Sequence, residues 1–190
     1  MRGTDCSERS GGVPQCLPRV PGTGNLRPKN GKRPVVKGFI SYTHTDYTLC
    51  RAFESHLVLS KDHGGADFWA DKRIQAGEQW SPAIEQAIDQ AEIFLLLVSA
   101  KFFGSAYIMD IELPRILARV AQCNGLVVPV ILRRCSWRFK FGGYQAVPTV
   151  GGHFRPICNW RLRNDGFDAA HEQVLAAILA RTVRLGVAAP

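Results

Sequence analysis

The run Ile93-Phe94-Leu95-Leu96-Leu97-Val98, six apolar residues without a break, limits what this chain can fold into more than any other stretch. Its length and character are those of a strand covered on both faces in a parallel sheet. Directly after it come Ser99 and a loop of small, polar and aromatic residues, and then Asp110 and Glu112 at the mouth of a new helical pattern. A carboxylate in that place stands near the carboxyl edge of a central strand, where open α/β sheets put their ligands. Function, if it is written in this sequence, is written at that edge.

The flanking chain repeats the same unit. Val35, Val36, Phe39 and Ile40 predict a short buried strand, followed by the polar turn Ser41-Tyr42-Thr43-His44-Thr45-Asp46. Asp46 is the expected N-cap of a helix from Tyr47 to about Ser60, in which Leu49, Phe53, His56 and Leu57 recur at helical spacing. A glycine-bearing connection, Lys61 to Gly65, leads into a second strand, Ala66 to Ala70, and then into the charged loop Asp71 to Trp80. Ser81-Pro82 opens the next helix, with Ile84, Ala87 and Ile88 on its inner face. After the central strand the pattern predicts a helix from about Asp110 to Gln122, a strand over Leu126 to Leu132, a last short strand within Arg155 to Asn159, and a closing amphipathic helix over Asp168 to Leu185. Alternation of this kind predicts an α/β fold of flavodoxin-like order, with three layers and a parallel sheet of about five strands carrying helices on both faces.

Composition narrows the function classes. With 190 residues, 46% apolar and 21% charged, the chain has room for one ordinary domain plus a tail. No apolar run approaches the roughly 20 residues of a membrane helix and no signal-peptide core opens the chain, so the expectation is a cytoplasmic protein with no membrane partner. The cysteines Cys6, Cys16, Cys50, Cys123, Cys135 and Cys158 show no paired spacing with one another or with histidines. Reduced packing thiols are expected, with neither a metal site nor a disulfide framework.

The net charge of +8 is unevenly spread: residues 1–34 carry seven Lys/Arg and two acids, or +5, and the rest carries seventeen and fourteen, or +3. Those first residues are rich in Gly, Pro, Arg and Ser and are expected to form a disordered basic tail, as are residues 186–190 a short C-terminal one. Residues 133–163 hold seven Lys/Arg and no acid, interleaved with Trp137, Phe139, Phe141, Tyr144 and Trp160. Such a mixture suits base stacking and phosphate attraction, but a connection covering a sheet edge has the same composition, and that is the preferred expectation. Nucleic acid is therefore not an expected partner.

Several boxes, in order, carry a resemblance. Phe39-Ile40-Ser41-Tyr42 after the first strand, Phe68-Trp69-Ala70-Asp71 leading through Gly77 to Trp80, Leu97-Val98-Ser99, and Ser105-Ala106-Tyr107 ending in Asp110-Ile111-Glu112-Leu113 resemble the successive boxes of a bacterial-type Toll/interleukin receptor (TIR) domain over residues 35–185. Leu126 to Leu132 followed by Trp137, and Pro156 to Trp160, resemble its later strands. The resemblance implies the TIR fold and, in members that cleave NAD+, a catalytic glutamate after the third strand, which here is Glu112. On the residues alone, Asp110 and Glu112 also suit the start of a helix, where acids interact favourably with the backbone dipole.

The same resemblance implies that Ser41, Tyr42, Thr43 and His44 line the nucleotide pocket, and that Arg73, Gly77 and Trp80 border the cleft from the Asp71–Trp80 loop, which carries self-association. Ser105 and Tyr107 precede the glutamate. Tyr107 lies five residues before Glu112, whereas many NAD-cleaving members have an aromatic four before. NAD+ is implied as substrate with no separate cofactor, and other TIR domains as partners. One carboxylate suffices for such a reaction, because the bond from ribose C1′ to nicotinamide already carries a cationic leaving group, unlike ordinary glycosides. Pro114 places the start of the regular helix close to Glu112, where the positive end of that helix is expected to keep the carboxylate ionised. Two alternatives remain open from the sequence: a non-catalytic scaffold assembling through the Asp71–Trp80 loop, and a polyanion binder using residues 1–34 and 133–163.

Overall fold

The computed structural model describes residues 36–58, 66–70 and 82–184. The expected tails at 1–34 and 186–190, the connection at 61–65 and the loop at 71–80 lie outside the described residues.

Four parallel strands form the main sheet: β1 (Val36–Ser41), β2 (Ala66–Ala70), β3 (Ile93–Val98) and β4 (Leu126–Ile131), in the order β2-β1-β3-β4. Every residue of β3 is 0% exposed, as an unbroken apolar run between two neighbouring strands requires. Its side chains alternate between two cores. Ile93, Leu95 and Leu97 pack with α1 (Tyr47–Leu57) and α6 (Arg163–Arg184). Phe94, Leu96 and Val98 pack with α2 (Pro82–Gln90), α3 (Ala100–Phe103), α4 (Leu113–Cys123) and α5 (Arg138–Phe141). The result is the three-layer, flavodoxin-like α/β arrangement that the alternation predicts.

The expected fifth strand is different. Val147 exchanges two backbone hydrogen bonds with β4, donating to Pro129 O at 2.9 Å and accepting from Ile131 N at 2.8 Å, but Pro148 follows and has no N–H with which to continue. Residues Ile157–Asn159, expected within a strand, form a 3-10 turn after Pro156, with a single backbone bond from Cys158 N to Leu132 O at 2.9 Å. The outer edge of β4 is thus closed by isolated contacts, and a two-stranded antiparallel hairpin, β5 (Thr149–Val150) and β6 (His153–Phe154), lies beyond. The basic, aromatic stretch serves this closure. Trp137 and Phe141 are buried in the α2/α4 core, with Tyr144 and Phe154 packed against it, and Arg138 stacks over Trp137 at 4.7 Å. Among the described residues no helix is long and apolar enough to cross a membrane.

Candidate functional site

The strand order creates a switch point. From β1 the chain passes to β2 on one side and then to β3 on the other, so the loops leaving the carboxyl ends of β1 and β3 start at the point where open α/β sheets place their ligands. The first of these loops is Tyr42–Asp46 and the second begins at Ser99.

Ser41 ends β1, opposite Leu96 of β3. Two residues after Phe39, it projects towards the α2/α4 side, and it is 1% exposed with no hydrogen-bond partner for its hydroxyl among the described residues. Tyr42 packs against the opposite, α1/α6 core, its ring 6.5 Å from that of Tyr47. Thr43 and His44 build a tight turn: the Thr43 carbonyl accepts from Asp46 N at 2.8 Å, and the exposed His44 ring lies 6.4 Å from Tyr47.

Beyond β3, the chain forms α3 and then re-enters helix at Ala106. Ser105 caps this entry, its Oγ accepting from Ile108 N at 3.4 Å. Ile108–Glu112 is a π turn, in which Leu113 N donates to Ile108 O five residues back, and regular α-helix α4 follows with Pro114 in its first turn. The helix of the sequence pattern therefore starts where Pro114 requires, but it is not open at that point. The first turn of this helix lies about two turns upstream, next to Ser105, and the dipole's influence fades within the first turn. The expected help from the positive helix end does not reach Glu112. What surrounds Glu112 is burial: it is 6% exposed, between Ile108 and Leu113 of the α2/α4 core.

Within a π turn a residue stands over the one five before it, as it would over the fourth in an α-helix. Tyr107, half-buried against the same core, is thus brought onto the helix face of Glu112. Arg115 orients this whole segment from one turn further on. Its Nη1 donates to Glu85 Oε2 and its Nη2 to Asp89 Oδ2, each at 2.8 Å, tying α4 to α2. Ser41, Tyr107 and Glu112 share the α2/α4 side, whereas Tyr42 leans to the other. Arg73, Gly77 and Trp80 lie outside the described residues.

Sequence reasoning missed a cluster at the same edge. Asp46 makes no side-chain cap to α1. Its carboxylate is buried, accepting from Ser99 Oγ at 2.5 Å and from Arg133 Nε at 3.3 Å. Ser99 in turn accepts from Phe102 N at 3.2 Å, capping α3. Since Asp46 ends the loop after β1 and Ser99 begins the loop after β3, their bond ties the two loops together at the switch point. One signal was available: an acid and a hydroxyl standing just past adjacent parallel strands share an edge.

Comparison with known proteins agrees with this architecture. The family model described as TIR domain matches residues 39–175. An uncharacterized protein of Sinorhizobium fredii, y4lF, is 40% identical over 141 residues, which cover 74% of this chain and 42% of that protein. A probable disease resistance protein of Arabidopsis thaliana, RPP1, is 27% identical over 82 residues, covering 43% of this chain and 6% of its own length. The chain thus spans less than half of either relative. With the family match running from β1 into α6, the chain belongs to the TIR domain family.

Proposed function

We propose that this TIR domain is an NAD+ glycohydrolase that cleaves the bond between ribose C1′ and nicotinamide, with Glu112 as its catalytic residue. The observation that supports this reading is a buried carboxylate, Glu112, on the helical segment after β3, flanked by Ile108 and Leu113 of the same α2/α4 core that packs on the Ser41 side of the sheet. Departure of neutral nicotinamide leaves an oxocarbenium-like ribose. A carboxylate held where water is scarce stabilises that positive charge more strongly than one in bulk solvent, and it also accepts hydrogen bonds from the ribose hydroxyls. Ser41 offers a further hydroxyl to the nucleotide, and Tyr107 a flat surface on the face of Glu112. The product is ADP-ribose when water reaches C1′ and its cyclic form when an internal nucleophile does.

Activity is expected to need self-association with other TIR domains, and the setting is cytoplasmic signalling or defence by NAD+ depletion. The test is nicotinamide release from NAD+ by concentrated protein, followed by chromatography. Glu112→Gln and Glu112→Ala should each lower turnover at least about a hundredfold, as loss of a charge-stabilising group does. Turnover that survives both changes removes Glu112 from the chemistry. Absence of turnover in the assembled wild-type protein points to a TIR scaffold that associates with its partners and does no chemistry.

A further inference from the structure

We propose that Arg133 binds the diphosphate of the dinucleotide and so makes the site selective for nucleotides over phosphate-free ribosides, an inference that rests on the NAD+ reading above. Its placement follows from the sheet. The β3–β4 ladder continues to its last rung, Leu132 N donating to Val98 O at 2.9 Å, so Arg133 leaves β4 at the carboxyl edge. From there its Nε reaches Asp46, which belongs to the loop after β1. Strand β3 stands between β4 and β1, and the guanidinium therefore crosses the carboxyl end of β3, next to the switch point.

The chemistry of the fork then decides what it can do. Asp46, with its side chain only 2% exposed, holds the Nε edge, while the Arg133 side chain is 54% exposed and its two terminal nitrogens have no partner among the described residues. A guanidinium anchored at one edge presents its remaining N–H donors in a fixed plane, the geometry that matches two oxygens of a phosphate. The surrounding charge agrees: exposed Arg134 is adjacent, and no acid occurs in residues 133–163. The carboxylate of Asp46 is itself compensated by Ser99 and Arg133. With Asp46 and Arg133 neutralising each other, the outward N–H donors of the fork and the charge of exposed Arg134 suit an anionic linker, while the Glu112 carboxylate suits a cationic glycosidic bond.

The experiment compares full-length wild type with Arg133→Gln and Arg133→Lys, measuring KM and kcat for NAD+ and, by calorimetry, the Kd of ADP-ribose. Loss of a charge-assisted phosphate contact should raise KM and Kd about tenfold or more in Arg133→Gln, with a smaller change in kcat, and Arg133→Lys should lie between. Unchanged KM and Kd overturn the proposal, as does a lowered melting temperature with ADP-ribose affinity intact, the signature of a merely structural counter-ion. Should the wild type release no nicotinamide, the NAD+ reading fails, and calorimetry decides for Arg133 alone. ADP-ribose binding that is lost in Arg133→Gln then upholds the diphosphate site, while equal binding, or none by the wild type, refutes it.

Discussion

Replacing Asp46 by Ala tests whether the loops after β1 and β3 are held together by a buried acceptor. Ser99 is 0% exposed and donates its hydroxyl to Asp46 Oδ2 at 2.5 Å, so the substitution leaves a buried donor with nowhere to go. An unsatisfied buried group costs about 1–3 kcal/mol, and a hydrogen bond to a charged acceptor lies in the same range. The Arg133 contact adds little, because its side chain is 54% exposed and ion pairs open to solvent contribute at most about 1 kcal/mol. Asp46→Ala should therefore destabilise by about 1–4 kcal/mol. Asp46→Asn keeps an amide oxygen for Ser99 and loses only the charge, so it should cost about 1 kcal/mol. Urea unfolding at neutral pH reads both, and a double-mutant cycle with Ser99→Ala isolates the pair. The cap that Ser99 gives to Phe102 N is lost in both backgrounds and cancels. A coupling of about 1–3 kcal/mol is expected for groups in direct contact. Additive single effects, or an Asn variant as unstable as the Ala variant, would refute the claim that acceptance from Ser99 is what matters.

Two further perturbations probe the fold around the site. A Cβ on Gly38 of β1 would lie 2.3 Å from Cδ1 of Phe68, its direct partner on β2, so Gly38→Val should cost about 1–3 kcal/mol by overpacking, and Phe68→Ala should rescue part of it in the same urea assay. Cys50 of α1 is buried, and desolvation pushes its thiol up to about 12 from 9.0. The folded state therefore keeps a proton that the unfolded chain releases, so stability is full below about pH 9 and falls as pH rises towards 12. Urea midpoints across that alkaline range should fall less steeply for Cys50→Ala, and identical slopes would show that the thiol does not titrate differently in the two states.

How much of this was legible depended on range. Strand β3 was plain because burial on both faces removes every polar residue from its run, and β2 matched its expected limits of Ala66 and Ala70. Helix α6 begins at Arg163, five residues before the expected Asp168, because Gly166 does not break it. The Trp160 ring lies 2.8 Å from where a Cβ on Gly166 would stand, so glycine there answers a close approach of side chain to backbone. The Asp46 cluster was not legible from any local window. Its partners are 53 and 87 residues away, and an acid just before a helical pattern reads locally as a cap. Only the strand order, which brings β1, β3 and β4 side by side, converts that cap signal into a buried network.

The spacing of Tyr107 and Glu112 shows why residue counting misleads at such a site. Five residues along an α-helix turn through well over one revolution, about 100° per residue, so Tyr107 would point away from the face of Glu112. The π turn from Ile108 to Glu112 widens that one revolution to hold the extra residue. The extra residue is accommodated on the outside, where Asp110 and Ile111 are exposed, while Ile108, Glu112 and Leu113 keep their buried positions. The five-residue spacing of Tyr107 and Glu112 is thus accommodated by the backbone geometry of the π turn. Pro114 favours the same solution, since it removes the N–H that would have closed an α-helical bond to Asp110. The relation of the two side chains is set by the hydrogen-bond register of the helix, which the sequence records only through a proline two residues past the glutamate.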